Sequence, residues 1–272
     1  MKDYLEFIES FGYFDEPAIY KGVKIFPVKV KDYKRFEQSY DILIIDKNDT
    51  TDIEQIQKSY LRFMFELIVW DETLRQDFLN ILELCFGVGF NEEYFHTEFD
   101  KNELLIVSED GDKRIYMING RGVAFIIDGK KTIIAIQDIE LTATDFDELK
   151  EIILYQNISG YDNTPMSDDF RKVVQKYYEL KNKDIKMPEM IDKIAVVVAS
   201  TSETYESVRD LPMRMFDKIF ECVRDREDYV ANTPLNPYLK TPVEHWIYKR
   251  DKEKYSDIFG DATSLAKKIT SV

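Results

Sequence analysis

The stretch between residues 94 and 141 constrains the fold most, because it alternates short apolar runs with turn dipeptides. Asp110–Gly111, Asn119–Gly120 and Asp128–Gly129 are hairpin dipeptides, whose positive-φ residues match the twist of the flanking strands. The spacing predicts strands at Leu104–Ser108, Arg114–Ile118, Val123–Ile127 and Thr132–Gln137. This segment is therefore predicted to be a small antiparallel sheet.

Helical periodicity flanks this segment on both sides. Asp52 is a suitable cap for a helix that continues through Leu67. One side of that helix is predicted to carry Ile53, Ile56, Tyr60, Phe63, Met64 and Leu67. A second helix is predicted from Glu72 to Phe86, and Gly87 and Gly89 end it.

Other elements are predicted from caps and breakers. Asp32 is predicted to cap a helix to about Leu43, and Thr144 or Asp145 a helix that continues to Tyr155. Residues 22–30 are predicted to be a strand ended by Pro27. Further helices are predicted at residues 2–10, from Ser167 to Lys181, from Pro188 through the run Ala195–Ala199, and from Met213 to Val230. The run Ala195–Ala199 is predicted to be the most buried element.

These patterns predict the α+β class: a predominantly α-helical protein with a small antiparallel β-sheet inserted at about residues 94–141. We expect an N-terminal strand and helical part at 1–92 and the β insertion at 93–142. A second helical part that packs on the first is expected at 143–232. A proline-rich connector and C-terminal tail are expected at 233–272.

Composition limits the classes of partner. The 272 residues carry a formal net charge of −15, which disfavours direct nucleic-acid binding, because phosphate neutralisation needs clustered Lys and Arg. The charge suits solubility, or a basic protein partner. Cys85 and Cys222 lie in apolar helical patterns and form no disulfide framework. With no signal peptide and no apolar run of membrane-spanning length, the protein is expected in a reducing cytoplasm.

A calcium loop is suggested by Asp46, Asn48, Thr50 and Asp52. The pattern fails at its sixth position, where Thr51 replaces Gly, and at its twelfth, where Gln57 replaces Glu. A solvated turn followed by a helix cap explains the segment better.

A metal-dependent nuclease is a second candidate, since Asp128 and Lys130 follow an apolar strand and Asp110 and Asp112 lie upstream. In such a site the carboxylates hold a divalent ion and the lysine polarises water. The same residues also suit an ordinary Asp-Gly hairpin turn, which we favour.

Neither histidine indicates a metal-binding or catalytic site. His96 has Glu92, Glu93, Glu98 and Asp100 nearby, but a structural zinc site wants four ligands, usually Cys or His. His245 precedes Trp246 and is predicted to belong to a packing cluster. No Gly-x-Ser-x-Gly elbow accompanies either histidine. We therefore expect no catalytic, cofactor-binding or metal-binding residue, and the sequence does not locate a partner-binding residue.

The N-terminal third carries a resemblance to a known group of proteins. Its pattern is Tyr-x-x-Val-x-Ile-x-Pro-Val-x-Val-Lys-Asp-Tyr at residues 20–33, then Asp46-Lys-Asn48, then Ser59-Tyr-Leu-x-Phe63. The pattern resembles tail assembly chaperones encoded in the tail gene clusters of phages and prophages of low-GC Gram-positive bacteria. The resemblance recurs more weakly at Asp145–Asn157 and at His245–Trp246.

The resemblance implies a non-enzymatic protein that acts without a cofactor in the host cytoplasm. Its implied partner is the tape-measure protein, whose apolar-striped helix such chaperones keep soluble, and a second partner is the tail tube protein. Homo-oligomerisation is compatible with this role. The alternatives are a structural component of the virion, then a metal-dependent nuclease or an acidic inhibitor of host defence.

Apolar grooves for such a client could come from Met187, Met190, Met213, Met215 and Phe216. Position by position, we instead expect these side chains to belong to the core.

Overall fold

A computed structural model gives the architecture. It describes residues 13–45, 47, 53–159, 161, 173, 176, 177, 180, 188–238, 243 and 245–248. The predicted helices at residues 2–10 and 167–181, and the solvated turn predicted in place of a calcium loop at residues 46–52, lie wholly or mostly outside these residues. The chain forms two compact units, one of residues 1–162 with 206–217 and the other of residues 163–205 with 218–272. The predicted division into four segments stays a prediction.

The first unit opens with a short antiparallel hairpin of β1 (Ala18–Tyr20) and β2 (Val23–Ile25). The strand predicted from residue 22 and ended by Pro27 is confirmed at Val23–Ile25. Its partner β1 was not predicted, and the chain reverses between the two at Lys21–Gly22, where both residues have positive φ. The segment after Pro27 pairs elsewhere, since Val30 N–H donates to Leu211 O at 3.0 Å.

Three helices follow the hairpin closely in the chain. Helix α1 (Tyr33–Ser39) is flanked by 3₁₀ turns at Val30–Asp32 and Tyr40–Leu43. Asp32 occupies the N-cap position of α1 but its side chain makes no cap hydrogen bond, so the predicted capping role was wrong. Helices α2 (Ile53–Gln57) and α3 (Tyr60–Trp70) come next.

The single helix predicted from Asp52 through Leu67 was also wrong. It is broken at Ser59, whose extended backbone starts α3 and whose Oγ accepts a hydrogen bond from Arg62 N at 3.2 Å. Helix α4 (Glu72–Phe86) confirms the sequence prediction, with Gly87 in the left-handed conformation at its end.

A five-stranded antiparallel meander confirms the predicted sheet and the α+β class. Its strands, in spatial order, are β3 (Leu104–Asp110), β4 (Lys113–Ile118), β5 (Val123–Asp128), β6 (Lys131–Ile136) and β7 (Ile139–Thr142). The sequence did not predict β7, because its hairpin turns through Gln137 and Asp138, both with positive φ and neither a glycine. The Gln137 side chain fixes that turn by donating to Phe86 O at 2.7 Å.

One face of this sheet packs on the helices. Phe125 lies within 5.0 Å of Phe65 and 5.8 Å of Phe78, measured between ring centroids. Helix α5 (Ala143–Asn157) follows β7 and adds Leu149, Ile152 and Ile153 to the same core.

A capping box opens α5. The N-cap is Thr142 rather than the predicted Thr144 or Asp145, and Asp145 occupies the third helical position. The buried Asp145 carboxylate also accepts hydrogen bonds from Lys21 and Tyr20, which ties the first hairpin to the helix. The hydrogen bond from Lys21 lowers the Asp145 pKa to about 2, although desolvation opposes the shift.

Further along the described part of the chain lie α6 (Met190–Ser200), α7 (Tyr205–Arg209) and α8 (Met213–Asn232). Helix α6 is not the most buried element: Val197 is buried, but Val196 is 42% exposed. Its run of small apolar residues covers the whole helix surface, of which only one side is needed for packing. Met213 and Phe216 are buried, which confirms the core expectation for those two.

Candidate protein-binding groove

Helix α3 has more apolar residues than one packed face can hold. All of its residues except Arg62 and Glu66 are apolar. The buried set consists of Tyr60, Leu61, Met64, Phe65 and Ile68. Phe63, Leu67 and Trp70 follow one another at steps of four and three residues, so they form a second apolar stripe outside that set.

This second stripe forms the floor of an open groove of about 430 Å³. The groove is lined by Gln55, Phe63, Glu66, Leu67, Trp70 and Asp71, and we call it the Trp70 groove. Phe63 and Leu67 are half-buried, whereas Trp70 is 88% exposed. A tryptophan so open to water presents a large apolar surface that the fold itself does not use.

Helix α2 adds further exposed apolar surface in the same stretch of chain. None of its residues is buried, and Ile53 is 69% exposed. The sequence placed Ile53, Ile56, Phe63 and Leu67 on the packed side of one helix. That prediction was wrong, because the break at Ser59 separates α2 from α3 and leaves the four side chains exposed or half-buried.

A charge cluster stands at the polar edge of the groove. Glu66 accepts hydrogen bonds from Lys58 at 2.7 Å and from Arg62 at 2.8 Å. Desolvation acts to raise the Glu66 pKa, but these two bonds outweigh it, and the pKa lies below its ordinary value. The carboxylate therefore stays ionised at neutral pH and holds the first turn of α3 to the residue before the helix break.

The far end of the groove is fixed by a helix cap. Asp71 accepts hydrogen bonds from the backbone N–H groups of Thr73 at 2.8 Å and Leu74 at 3.0 Å, which starts α4. The Asp71 N–H in turn donates to Leu67 O at 2.9 Å, which ends α3. The backbone on either side of Trp70 is thus hydrogen-bonded, which fixes where this residue lies at the end of α3.

Two buried polar atoms in this part of the chain make no hydrogen bond within the described residues. They are Gln55 Oε1 and Arg62 Nη1. A buried acceptor or donor without a partner costs free energy.

The residues of the nuclease hypothesis lie in two neighbouring hairpin turns. Asp110 is directly opposite Lys113, and Lys113 is directly opposite Asp128, so a lysine separates these two acids. Among the described residues no group of three or more His, Cys, Asp or Glu side chains could hold a metal ion. Lys130 instead lines a separate cavity together with Lys58 and Arg62.

The contacts of both histidines belong to the packing of the fold. The loop at His96 is held by the buried Asn119, whose Oδ1 accepts from His96 N at 2.8 Å and whose Nδ2 donates to Asp100 O at 3.0 Å. The dipeptide pattern predicts Asn119 only as part of a hairpin turn. His245 lies 4.8 Å from Tyr229 and 5.9 Å from Trp246 between ring centroids, as a packing cluster predicts.

Other titratable groups with shifted pKa values lie in packed positions. Burial lowers the pKa of Lys150, whose Nζ sits 3.8 Å from the centre of the Tyr60 ring, and burial raises the pKa of its neighbour Asp147. Burial also raises the pKa of Cys85, which makes this thiol a poor nucleophile. Cys85 is part of the core, whereas Lys150 and Asp147 are half-buried on α5.

Comparison of the chain with protein-family models, with curated proteins and with solved structures finds no match. Across the described residues, no helix has both the length and the apolar character needed to cross a membrane.

Proposed function

We propose that this protein is a non-enzymatic assembly chaperone that binds an amphipathic helix of a client protein in the Trp70 groove. The observation that carries the proposal is the 88% exposure of Trp70 on an apolar stripe of a helix whose other face is fully packed. Helix-in-groove recognition uses anchors spaced as on the stripe of Phe63, Leu67 and Trp70.

The charge around the groove specifies the client further. The charged residues that line the groove, Glu66 and Asp71, are both acidic, and the whole chain carries a net charge of −15. An acidic rim favours a client helix whose apolar stripe is flanked by Lys or Arg, and it disfavours an acidic one. The rim also keeps the complex soluble while it shields the client's apolar surface.

The resemblance to tail assembly chaperones suggests which protein the groove binds. We propose the tape-measure protein of a phage tail, bound in the host cytoplasm before the tube polymerises. Its long, apolar-striped helix needs the kind of cover that the Trp70 groove offers.

The test is binding of fluorescent peptides cut from the tape-measure helix, measured by anisotropy with the full chain. Trp70→Ala is expected to weaken binding at least about tenfold, because buried aromatic anchors dominate interfaces. The matched control is Phe14→Ala, an aromatic side chain 72% exposed in the same unit but outside the groove. Equal losses in both variants, or no binding by the unmodified chain, would reject the proposal.

A second experiment addresses the virion alternative. Mass spectrometry of purified phage particles is expected to detect no stoichiometric copies of the protein, whereas infected cells contain it in complex with the tape measure. Stoichiometric copies in mature particles would make it a structural component instead.

A further inference from the structure

The outer face of the five-stranded sheet, opposite the helices, is apolar as well. Antiparallel sheets with one solvated face normally alternate apolar and polar residues along each strand. Here Ile115, Met117, Ala124, Ile126 and Ile133 all lie on the outer face, as the strand register shows. They are half-buried, and none belongs to the main core cluster or to the side chains that pack on it.

Exposed charges border this apolar face at the hairpin end. The register places Asp110, Lys113, Asp128 and Lys131 in one row across four adjacent strands. Read from β3 to β6, the row alternates negative, positive, negative and positive. A two-fold axis parallel to the strands, between β4 and β5, would reverse the row in a second copy. Each acid would then face a lysine.

Two outer rows follow the charged one. The first consists of Ser108, Ile115, Ile126 and Ile133, so the reversal sets the apolar Ile115 against the apolar Ile126. Side-chain size in the second row follows the same symmetry as the charges. That row consists of Leu105, Met117, Ala124 and Ala135, which is two large side chains followed by two small ones. Reversed in a second copy, it sets Met117 against Ala124, both half-buried, and it places Leu105, which is only 6% exposed, opposite Ala135. Large residues then face small ones, as interdigitating sheet faces require.

We propose that the outer sheet face is a self-association surface that takes a second copy of this chain, sheet against sheet, about this two-fold axis. Opposite charges in the first row, and large and small side chains in the last row, become complementary under one operation, as an isologous interface requires. Four strands about 4.8 Å apart and six residues at about 3.3 Å give a face of roughly 400 Å², so the dimer belongs to the weak, concentration-dependent class. The inference is independent of the Trp70 groove.

Sedimentation velocity of the full chain tests it, from low micromolar to submillimolar concentration. The unmodified protein is expected to shift from monomer to dimer. Ala124→Glu is expected to abolish the shift, because it buries a charge against Met117 of the other copy. Ile106→Glu is the matched control, since Ile106 is 55% exposed and its register partner Tyr116 lies on the opposite face.

Exchanging the large and small side chains at positions 117 and 124 distinguishes an effect on the dimer interface from an effect on folding. Ala124→Met alone is expected to weaken the dimer at least tenfold, because two methionines then meet across the axis. Combined with Met117→Ala, it restores a large side chain opposite a small one and is expected to recover the dimer. The proposal is overturned if the unmodified chain stays monomeric throughout, if both glutamate variants weaken the dimer equally, or if the double variant fails to recover it.

Discussion

Helices α3 and α4 adjoin in the chain and differ in what they leave outside. Helix α4 buries one face, with Phe78 and Leu82, and presents polar residues such as Gln76 to water. Helix α3 buries one face equally well but carries apolar residues on the other side too, ending in Trp70. The difference teaches that α3 carries more apolar residues than the core absorbs, and this surplus is the surface that we propose for binding.

The sheet shows the same contrast between a packed and an unpacked face, here between adjacent residues of one strand. Phe125 of β5 is fully buried against the helices, whereas the next residue, Ile126, faces outward and is half-buried. Substitutions on the packed faces should therefore cost folding stability. Substitutions on the outward faces should cost association instead.

The largest effect is expected at the packed face of the sheet. Phe125→Ala should lower the free energy of unfolding by about 3–5 kcal/mol, because it opens a cavity among Phe65 and Phe78. Ile126→Ala, the control on the outer face, should cost less than about 1 kcal/mol in dilute solution. Urea unfolding at low protein concentration checks both. Equal losses would show that the outer face is packed within the monomer.

The inner face of α3 should respond in the same way. Phe65→Ala should destabilise the fold by about 3–5 kcal/mol, since Phe65 is only 4% exposed and packs on Phe125 and Tyr116. Trp70→Ala should change stability by less than about 0.5 kcal/mol. Thermal unfolding compares the two variants. A large stability loss in Trp70→Ala would mean that Trp70 belongs to the fold.

A smaller effect is expected at the buried carboxylate that caps α5. Asp145→Asn should cost about 1–3 kcal/mol at neutral pH, because it removes the charge that Lys21 and the Thr142 hydroxyl bond to. The Asp145 pKa in the fold, about 2, lies below the ordinary 3.8, so ionisation of this group stabilises the folded state.

The sign of the pH dependence follows from that lowered pKa. The contribution of Asp145 is complete above its ordinary pKa and is lost as the pH falls from about 4 to about 2. Urea unfolding at several pH values should show this decline in the unmodified chain. A matching decline in Asp145→Asn would assign it to other groups.

The smallest effect is expected at the polar edge of the Trp70 groove. Glu66→Gln should cost about 0.5–1 kcal/mol, because the Glu66 side chain is 25% exposed and solvent weakens its ion pairs with Lys58 and Arg62. The difference between the two proteins should shrink in high salt, where exposed charges are screened. A salt-independent difference would point to packing instead of charge.

Much of the fold could be predicted from local signals. Helix α4 was predicted with its true bounds, because its periodicity ends at Gly87, whose left-handed conformation stops the helix. Strands β3 to β6 were predicted because each hairpin turn carries a glycine. Strand β7 was missed, since Gln137 and Asp138 make a tight turn without one and depend on the bond from Gln137 to Phe86 O.

The groove could not be predicted, although its signal was present. The predicted core position of Phe63 and Leu67 depended on one continuous helix from Asp52 onward. Ser59 instead ends the first helical segment and caps a new helix at Tyr60. A serine beside an apolar run is a weak sequence signal for such a helix start. The near absence of polar residues from α3 was the available sign that both of its sides carry apolar surface.

The emission of Trp70 during titration with a tape-measure helix tests the central claim most directly. The chain has only two tryptophans, so Trp246→Phe leaves Trp70 as the sole reporter. Free Trp70 should emit as a water-exposed indole, and saturating client should shift its emission to the blue as the ring is buried. Client binding with an unchanged Trp70 emission would show that the client is held elsewhere and would contradict the account.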